Sequence, residues 1–186
     1  RLDWVMDGVP YQFYCHFKPD TDLVVFCQDA LTRASVTLPV FFRWRWSGEI
    51  PASVMVLNDP TLYCHDSLNA GWMAGTRTRD YVEEMAGLIQ QIAQQRGHRR
   101  VIFVGASAGG FAALALGSCV PGSQVLVDIP QTNLARYHVR AEVDAVARHA
   151  LGFPSIDQVS PEYQYRIDVL ERFEKNRRVP DIHFCQ

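Results

Sequence analysis

The stretch that decides the fold reads Val101-Ile-Phe-Val-Gly-Ala-Ser-Ala-Gly-Gly-Phe-Ala-Ala-Leu114. It combines an apolar strand, the turn Gly105-x-Ser107-x-Gly109 and a helix of small residues, which is the context of a nucleophile elbow. Such a turn holds its serine at a strained backbone position, and a side chain two residues to either side would strike the neighbouring strand or helix. The turn therefore requires small flanking residues for steric reasons. Ser107 is the candidate nucleophile.

The chemistry available to Ser107 depends on what surrounds it. The hydroxyl is expected at the carboxyl edge of the sheet, where the next helix aims backbone N–H groups at developing negative charge. Ala108 would supply one of these oxyanion donors. Two other interpretations stay open: Ser107 only caps the helix, or the glycines form a phosphate-binding loop. The second is weakened because the pattern G-x-x-x-x-G-K-[ST] is absent from the sequence.

Length and composition predict a single domain, residues 1–186. Of the 186 residues 48% are hydrophobic, which is enough for one substantial core and too little for two. The net charge of -2 gives no general electrostatic argument for nucleic acid or for an anionic membrane as a partner. No run of 18 apolar residues occurs, so no membrane span is expected, and the first eight residues do not form a signal peptide.

The cysteines favour a reducing compartment. Five are present, an odd number, and they are widely spaced in apolar segments without a C-x-x-C pair. We therefore expect buried free thiols and a cytoplasmic location. The ligand types in Cys64-His65-Asp66 are adjacent rather than spaced to converge, so no metal is predicted, and no cofactor either. The chain begins without Met and ends at Gln186 after a core-like strand, which predicts a fragment of a longer protein.

Hydrophobic periodicity predicts alternating strands and helices. Strands are expected at residues 11–17, 22–28, 53–58, 101–104, 124–128 and 181–185. Helices are expected at 80–97, with Asp80 as the cap, at 109–117, over 132–151 and from Ser160 onward. In the last helix Ile167, Leu170 and Phe173 should face inward. A turn is expected at 18–21, and residues 40–46 are interpreted as extended but irregular. The alternation predicts a three-layer α/β/α sandwich around a mostly parallel sheet.

This order of elements resembles the α/β-hydrolase superfamily over nearly the whole chain, residues 11–186. Local patterns resemble a bacterial branch whose members accompany glycan or surface-polysaccharide enzymes: Phe42-x-Trp44-x-Trp46, Asn58-Asp-Pro-Thr-Leu62, Gly71-Trp-Met-Ala-Gly75, Gly105-Ala-Ser-Ala-Gly-Gly-Phe111 and Ile129-Pro-Gln-Thr132. The resemblance implies a serine esterase or acyltransferase fold that is cut off after its penultimate strand. The branch implies an acyl group on a sugar, rather than a triglyceride, as the substrate.

The resemblance also assigns an oxyanion loop. Residues 23–27 and the following Gln28-Asp-Ala-Leu31 resemble the family's third strand and the loop after it, although the family's usual His-Gly is replaced by Gln28-Asp29. The second oxyanion N–H would then come from Asp29 or Ala30. Because a nearby carboxylate would oppose an oxyanion, the side chain of Asp29 is expected to point away.

A serine hydroxyl needs a histidine to take its proton and a carboxylate to orient that histidine. In the family the acid follows the strand two after the nucleophile and the histidine follows the final strand, so both are expected beyond Gln186. Within the chain Asp128 is an alternative acid, or else a turn residue that caps the next segment. The available histidines are poor candidates for the base because they lie inside predicted elements: His138, His149 and His183.

Two aromatic segments have open roles. Arg43-Trp44-Arg45-Trp46 could stack on a sugar or hold an anion, or it could be an edge segment with one aromatic and one solvated face. Trp72 could border a pocket, or it could pack in the core.

Two functions compete at this point. The leading prediction is a serine hydrolase or acyltransferase that forms an acyl-enzyme on Ser107 and acts on a small-molecule or glycan ester. The alternative is a catalytically inactive hydrolase-like scaffold that binds a glycan or a partner protein. A fragment without its last strand and helix would expose an apolar sheet edge, so self-association is also predicted.

Overall fold

A computed structural model describes residues 1–19 and 22–185, so the turn predicted at 18–21 lies partly outside the described residues. The strands of this part are β1 Leu2–Met6, β2 Val9–His16, β3 Leu23–Phe26, β4 Ser53–Leu57, β5 Val101–Ala106, β6 Gln124–Asp128 and β7 Asp181–Cys185. Its α-helices are α1 Tyr81–Gln95, α2 Ser107–Cys119, α3 Arg140–Val146 and α4 Val169–Asn176.

The described strands form one sheet in the order β1-β2-β4-β3-β5-β6-β7. β2 is antiparallel to β1 and β4, whereas the neighbours from β4 to β7 are parallel. This confirms the predicted α/β class with a mostly parallel sheet. Since β5 lies inside the parallel part, its carboxyl end, which carries the turn to Ser107, meets the carboxyl ends of β3 and β6 at one edge.

The two faces of the sheet are covered differently. Val25 and Phe103 pair across β3 and β5 and lie in one large core together with the buried residues of α1 and α2. α2 also contacts α4, so these helices cover one face. The opposite face carries a smaller core, which packs against the loop 41–50 and is made of Phe26, Val54 and Val56.

Helix α1 begins where the sequence predicts. The carboxylate of Asp80 accepts hydrogen bonds from the backbone N–H groups of Val82 and Glu83, at 3.1 and 3.3 Å. Gly97 follows the helix with a φ of +70°, a left-handed conformation that glycine adopts without strain. The prediction of a capped helix over 80–97 is therefore confirmed.

The same carboxylate meets two buried arginines. Arg172 of α4 donates from Nη1 to Oδ2 of Asp80 at 2.8 Å and from Nη2 to Oδ1 at 3.1 Å. Nε of Arg166 lies 3.4 Å from Oδ2, and its Nη1 donates to the carbonyl oxygens of Ala74, Thr76 and Arg79. Burial raises the pKa of the Asp80 carboxyl, but the two guanidinium groups outweigh burial and hold the pKa below its usual value. Asp80, Arg166 and Arg172 are called the Asp80 cluster below.

Several predicted elements differ from the structure. β1 was not predicted, because this edge strand is mostly exposed and lacks hydrophobic alternation. The helix predicted over 132–151 begins only at Arg140, since Asn133 caps a separate 3-10 turn at Leu134–Arg136. Its last turn, Ala147–Leu151, is a π-helix.

The last predicted helix begins later than expected. Residues Pro161–Arg166 form a 3-10 helix, and the α-helix starts only after Asp168, whose side chain accepts from the N–H of Leu170. A 3-10 helix has fewer residues per turn than an α-helix, and the cap at Asp168 starts a new helix. The hydrophobic positions predicted for one continuous α-helix therefore no longer lie on one face. Ile167 and Phe173 are buried as predicted, but the prediction for Leu170 is wrong, because that side chain is exposed.

The loop 41–50 is not extended. It forms a 3-10 helix at Trp44–Gly48, preceded by Arg43 in a left-handed conformation. The five cysteines are free; Cys27 is buried, but the expectation of burial is wrong for Cys185, which is exposed on the edge strand β7. Among the described residues no helix is both long and apolar enough to cross a membrane.

Candidate active site

The turn between β5 and α2 holds Ser107 at the edge of the sheet. Ser107 has a φ of +50° and begins α2 directly after β5. A Cβ on Gly105 would overlap the backbone carbonyl of Gly109, and a Cβ on Gly109 would lie 2.5 Å from Oδ1 of Asp29 and 3.0 Å from the carbonyl oxygen of Cys27. Glycine is therefore required at both flanks, for the steric reason that the sequence suggested.

The hydroxyl of Ser107 has a defined partner. Nε2 of Gln131 donates to Oγ of Ser107 at 2.7 Å, and the indole N–H of Trp72 donates to Oε1 of Gln131 at 2.9 Å. An indole N–H can only donate, which fixes the orientation of the Gln131 amide. Ser107 therefore accepts from Gln131 and keeps its own proton for transfer to a base. These three residues are called the Ser107 cluster below.

Sequence reasoning missed Gln131. It belonged to the pattern Ile129-Pro-Gln-Thr132, but no role was assigned to it. Its backbone N–H also donates to the carbonyl oxygen of Ser107, at 3.3 Å, so the segment after β6 is tied to the β5–α2 turn twice. The position of Gln131 in the sequence could have indicated a role. It follows β6, which lies parallel beside β5, so its side chain is expected at the same edge of the sheet as Ser107.

Of the two roles left open for Trp72, the structure shows packing in the core. The ring is buried in the core, and its N–H still reaches Gln131. The loop that carries it is held by Asp59, whose carboxylate accepts from the backbone N–H groups of Met73 and Thr61, both at 2.8 Å. Burial raises the pKa of the Asp59 carboxyl, although these backbone donors oppose the shift.

Backbone strain is concentrated around this edge. Seven non-glycine residues in the described part have positive φ, and five of them lie in the Ser107 turn or in the segments just described: Arg43, Trp72, Met73, Ser107 and Ile129. Each such position costs of order 1–3 kcal/mol and persists only where its surroundings enforce it. Most of the strained non-glycine positions in the described part of the chain are thus concentrated around the Ser107 turn and the segments that contact it.

The predicted oxyanion residues lie on both sides of the turn. Ala108 is buried in the first turn of α2, while Asp29 and Ala30 belong to the loop after β3. The carboxylate of Asp29 does not point away from the turn, which corrects that expectation. Its Oδ1 packs against Gly109, and its Oδ2 lies 2.7 Å from Nη1 of Arg43. The positive charge of Arg43 therefore lies next to a carboxylate that by itself would oppose an oxyanion.

The acid and the base are not brought together with Ser107. Asp128 pairs in register with Ala106, beside the turn, but its side chain is exposed. The histidines lie elsewhere: His149 stacks on His65 with ring centroids 3.9 Å apart, His138 packs against Tyr137, and His183 contacts Asp181. Among residues 1–19 and 22–185, no histidine hydrogen-bonds to Ser107.

The sheet order, the parallel core and the left-handed serine between β5 and α2 define an α/β-hydrolase-like fold, in agreement with the structures that resemble it. No family model matches the chain, and no curated protein matches its sequence.

The likeness is to solved structures. The capsule O-acetyltransferase of Neisseria meningitidis serogroup A is 14% identical with a TM-score of 0.62, covering 99% of this chain and 85% of that one. The glycosylation-associated protein (Gap123) complex from Streptococcus agalactiae contains a chain that is 15% identical, with a TM-score of 0.62 over 98% of this chain. Prolyl oligopeptidase B from Galerina marginata is 14% identical, with a TM-score of 0.59 over 98% of this chain.

The present chain spans only 35% of the Streptococcus chain and 28% of the peptidase chain. At these identities the likeness shows the fold alone.

Proposed function

We propose that this chain carries the nucleophile of a serine-dependent acyl-transfer reaction. The observation that supports this most is the geometry of Ser107: a half-buried hydroxyl on a left-handed residue, at the carboxyl edge of the sheet, that accepts a hydrogen bond from Gln131. That bond leaves the hydroxyl proton available to a base. Enzymes with acyl-transfer or peptidase names among the structural neighbours support the same class.

The proposed reaction has two steps. Oγ of Ser107 forms a bond to the acyl carbon of an ester while a base takes the hydroxyl proton, and the alcohol leaves with that proton. Water or a sugar hydroxyl then attacks the acyl carbon and gives its proton to the base. The bond from that carbon to Oγ breaks, and Oγ takes the proton from the base, which restores Ser107. The backbone N–H of Ala108, together with that of Asp29 or Ala30, is proposed to stabilise the oxyanion. None of the described histidines hydrogen-bonds to Ser107, so the base is proposed to lie outside the described residues.

We propose an acylated glycan as the substrate. Two structural neighbours carry a capsule O-acetyltransferase name and a glycosylation-associated name. Asp128 is proposed as the acid that orients the base, because it ends β6 beside the turn; an acid beyond Gln186 is the other possibility from the sequence.

The second candidate is a scaffold that binds a glycan or a partner protein without turnover. The observation that favours it is the carboxylate of Asp29, which packs against the first turn of α2 near the place where an oxyanion would form. If Arg43 does not compensate this charge during reaction, acylation is disfavoured.

Intact mass after fluorophosphonate treatment separates the two candidates. The samples are this chain, a chain extended beyond Gln186 in its natural reading frame, Ser107→Ala, and Ser35→Ala as an exposed serine control. An adduct that Ser107→Ala loses and Ser35→Ala keeps supports acyl transfer. An adduct only on the extended chain places the base beyond Gln186. No adduct on either chain overturns the enzymatic proposal in favour of the scaffold.

Self-association also stays a proposal. β7 is an edge strand, and its Phe184 is exposed, as is Leu126 on the neighbouring β6. Exposed apolar groups beside an unpaired strand edge favour pairing with a second copy. Light scattering should show concentration-dependent dimers that Phe184→Glu reduces, and a monomer at every concentration would contradict it.

A further inference from the structure

The loop 41–50 presents two indole rings to solvent. Trp44 is 45% and Trp46 54% exposed. Both are braced from behind by the sheet: the Trp44 ring lies 5.7 Å from the ring of Tyr14, and Trp46 meets Phe26 edge-on at 5.9 Å. The pair is called the indole shelf. Because its rings are fixed by packing, a ligand that stacks on them would not have to order them first.

Positive charge accompanies the shelf. The guanidinium of Arg45 lies 5.5 Å from the ring centroid of Trp44, and that of Arg43 lies 5.7 Å from the centroid of Trp46. Arg43 is paired with Asp29, whereas Arg45 is exposed and has no acidic partner among the described residues. The free positive charge at the shelf is therefore that of Arg45.

A groove runs alongside the shelf. It is open, has a volume of about 590 Å³, and is lined among others by Tyr14, Pro39, Val40, Phe41 and Trp44. Ligand sites commonly measure about 300–1,000 Å³, with mostly apolar walls and a few polar groups that fix orientation. The groove has these walls, and Arg45 on Trp44 supplies a polar group at its rim.

The shelf adjoins the Ser107 turn. Arg43 links the two, since its guanidinium stacks on Trp46 and pairs with Asp29, which packs against Gly109 in the first turn of α2. Gly109 lies two residues after Ser107. The shelf is thus connected to the turn that carries the proposed nucleophile through the side chains of Arg43 and Asp29.

We propose that the indole shelf and Arg45 bind an acidic saccharide, which is the acyl acceptor or acylated substrate of the proposed reaction; this assignment rests on the proposed function. A sugar ring has an apolar C–H face, which suits the negative face of an indole, and hydroxyl groups that suit the wet rim. A carboxylate or phosphate on the sugar pairs with Arg45. A lipid or apolar peptide would instead desolvate the Arg45 guanidinium without pairing it.

Isothermal titration calorimetry with defined oligosaccharides tests the assignment without any need for catalysis. The probes are three acidic tetramers, of galacturonate, sialic acid and hyaluronan, and neutral maltotetraose. We expect this chain to bind at least one acidic tetramer more tightly than maltotetraose. Arg45→Gln should weaken that binding about tenfold and leave maltotetraose unchanged. Trp44→Ala should weaken both, whereas Trp4→Ala, an exposed tryptophan on β1, should change neither.

Several outcomes overturn the assignment. Failure of all three acidic tetramers to bind, or equal losses in Arg45→Gln and Trp4→Ala, would remove the shelf as their site. Arg45 is on the surface, so its variant stays informative even if Trp44→Ala does not fold. Ser107→Ala separates the two proposals: it should keep saccharide binding and lose the fluorophosphonate adduct. Binding without any adduct would overturn the enzymatic proposal and leave the shelf as a saccharide site without turnover. An adduct without binding would overturn only the shelf.

Discussion

The Asp80 cluster and the Ser107 cluster are both polar networks, but they differ in charge, burial and backbone strain. Arg166 and Arg172 are 4% and 1% exposed, and no member of their cluster has positive φ. Ser107 is half-buried, held by neutral hydrogen bonds, and surrounded by strained residues. Dense ion pairing thus holds helices together at one place, while strain is kept at the sheet edge where a hydroxyl must be reachable.

The two clusters are linked through the loop that carries Trp72. Arg166 donates to the carbonyl oxygen of Ala74, two residues after Trp72, so the Asp80 cluster helps to hold the loop that reaches Gln131. Nothing in the Ser107 cluster contacts Asp80 among the described residues. Breaking the Asp80 cluster should therefore also disturb the loop that carries Trp72.

Arg172→Ala should give the largest effect. It leaves the buried Asp80 carboxylate with its two backbone donors and, as a charged partner, only the more distant Arg166. Removing one partner of a buried ion pair costs about 3–5 kcal/mol. Urea denaturation measures this loss. The control is Lys175→Ala, on the same helix α4 as Arg172. It removes an exposed ion pair to Glu83 of α1 and should cost at most about 1 kcal/mol. Equal losses would show that the Asp80 cluster is no more important than a surface pair.

Gly105→Ala should come next, because the new Cβ meets backbone rather than a side chain that can move. It would overlap the carbonyl of Gly109 and come within 2.7 Å of the N of Gly110, and such overpacking costs about 1–3 kcal/mol. Thermal unfolding should show this loss, and fluorophosphonate labelling of Ser107 should fall with it. Gly87→Ala, which meets nothing within 4 Å in α1, should instead stabilise by about 0.5–1 kcal/mol. A neutral Gly105→Ala would contradict the steric account of the turn.

Local patterns predicted most of the fold. The Gly105-x-Ser107-x-Gly109 turn and the Asp80 cap depend on neighbours within a few residues, so they can be recognised in the sequence. The start of α4 could not, because Asp168 restarts the helix after a 3-10 turn whose pattern also suits an α-helix. The strand β1 was not predicted because an exposed edge strand lacks the alternation of hydrophobic and polar residues that burial of one face imposes.

The candidate site was predicted only where it is local. Ser107 and Ala108 follow from one motif. The contacts that complete the site join distant residues: Trp72 and Gln131 are 59 positions apart. Likewise, the orientation of Asp29 depends on its pairing with Arg43, which a hydrolase-like loop pattern does not reveal.

Gln131→Ala should lower the reactivity of Ser107 and also the stability of the fold. The hydrogen bond to Oγ that holds the hydroxyl in place contributes about 0.5–1.5 kcal/mol. Without it, the rate of fluorophosphonate labelling should fall up to about tenfold in whichever form of the chain reacts. Because the variant leaves the buried indole N–H of Trp72 without its acceptor, the free energy of unfolding should also fall, by about 1–3 kcal/mol. Gln94→Ala, on the exposed face of α1, is the control and should leave the rate unchanged. A large loss of stability with an unchanged rate would make Gln131 a purely structural residue.

Trp72→Phe should give the smallest effect, and it tests how the Ser107 cluster works. Phenylalanine keeps an apolar ring in the core but lacks the N–H that fixes the Gln131 amide, so the labelling rate should fall about two- to fivefold. If the indole acts through that amide, Trp72→Phe should have no further effect on the rate once Gln131 is alanine, and a double-mutant cycle measures this coupling. Equal losses in both backgrounds would mean that the indole acts through packing alone. The hydrogen-bond order from Trp72 through Gln131 to Ser107 would then have no role in reactivity.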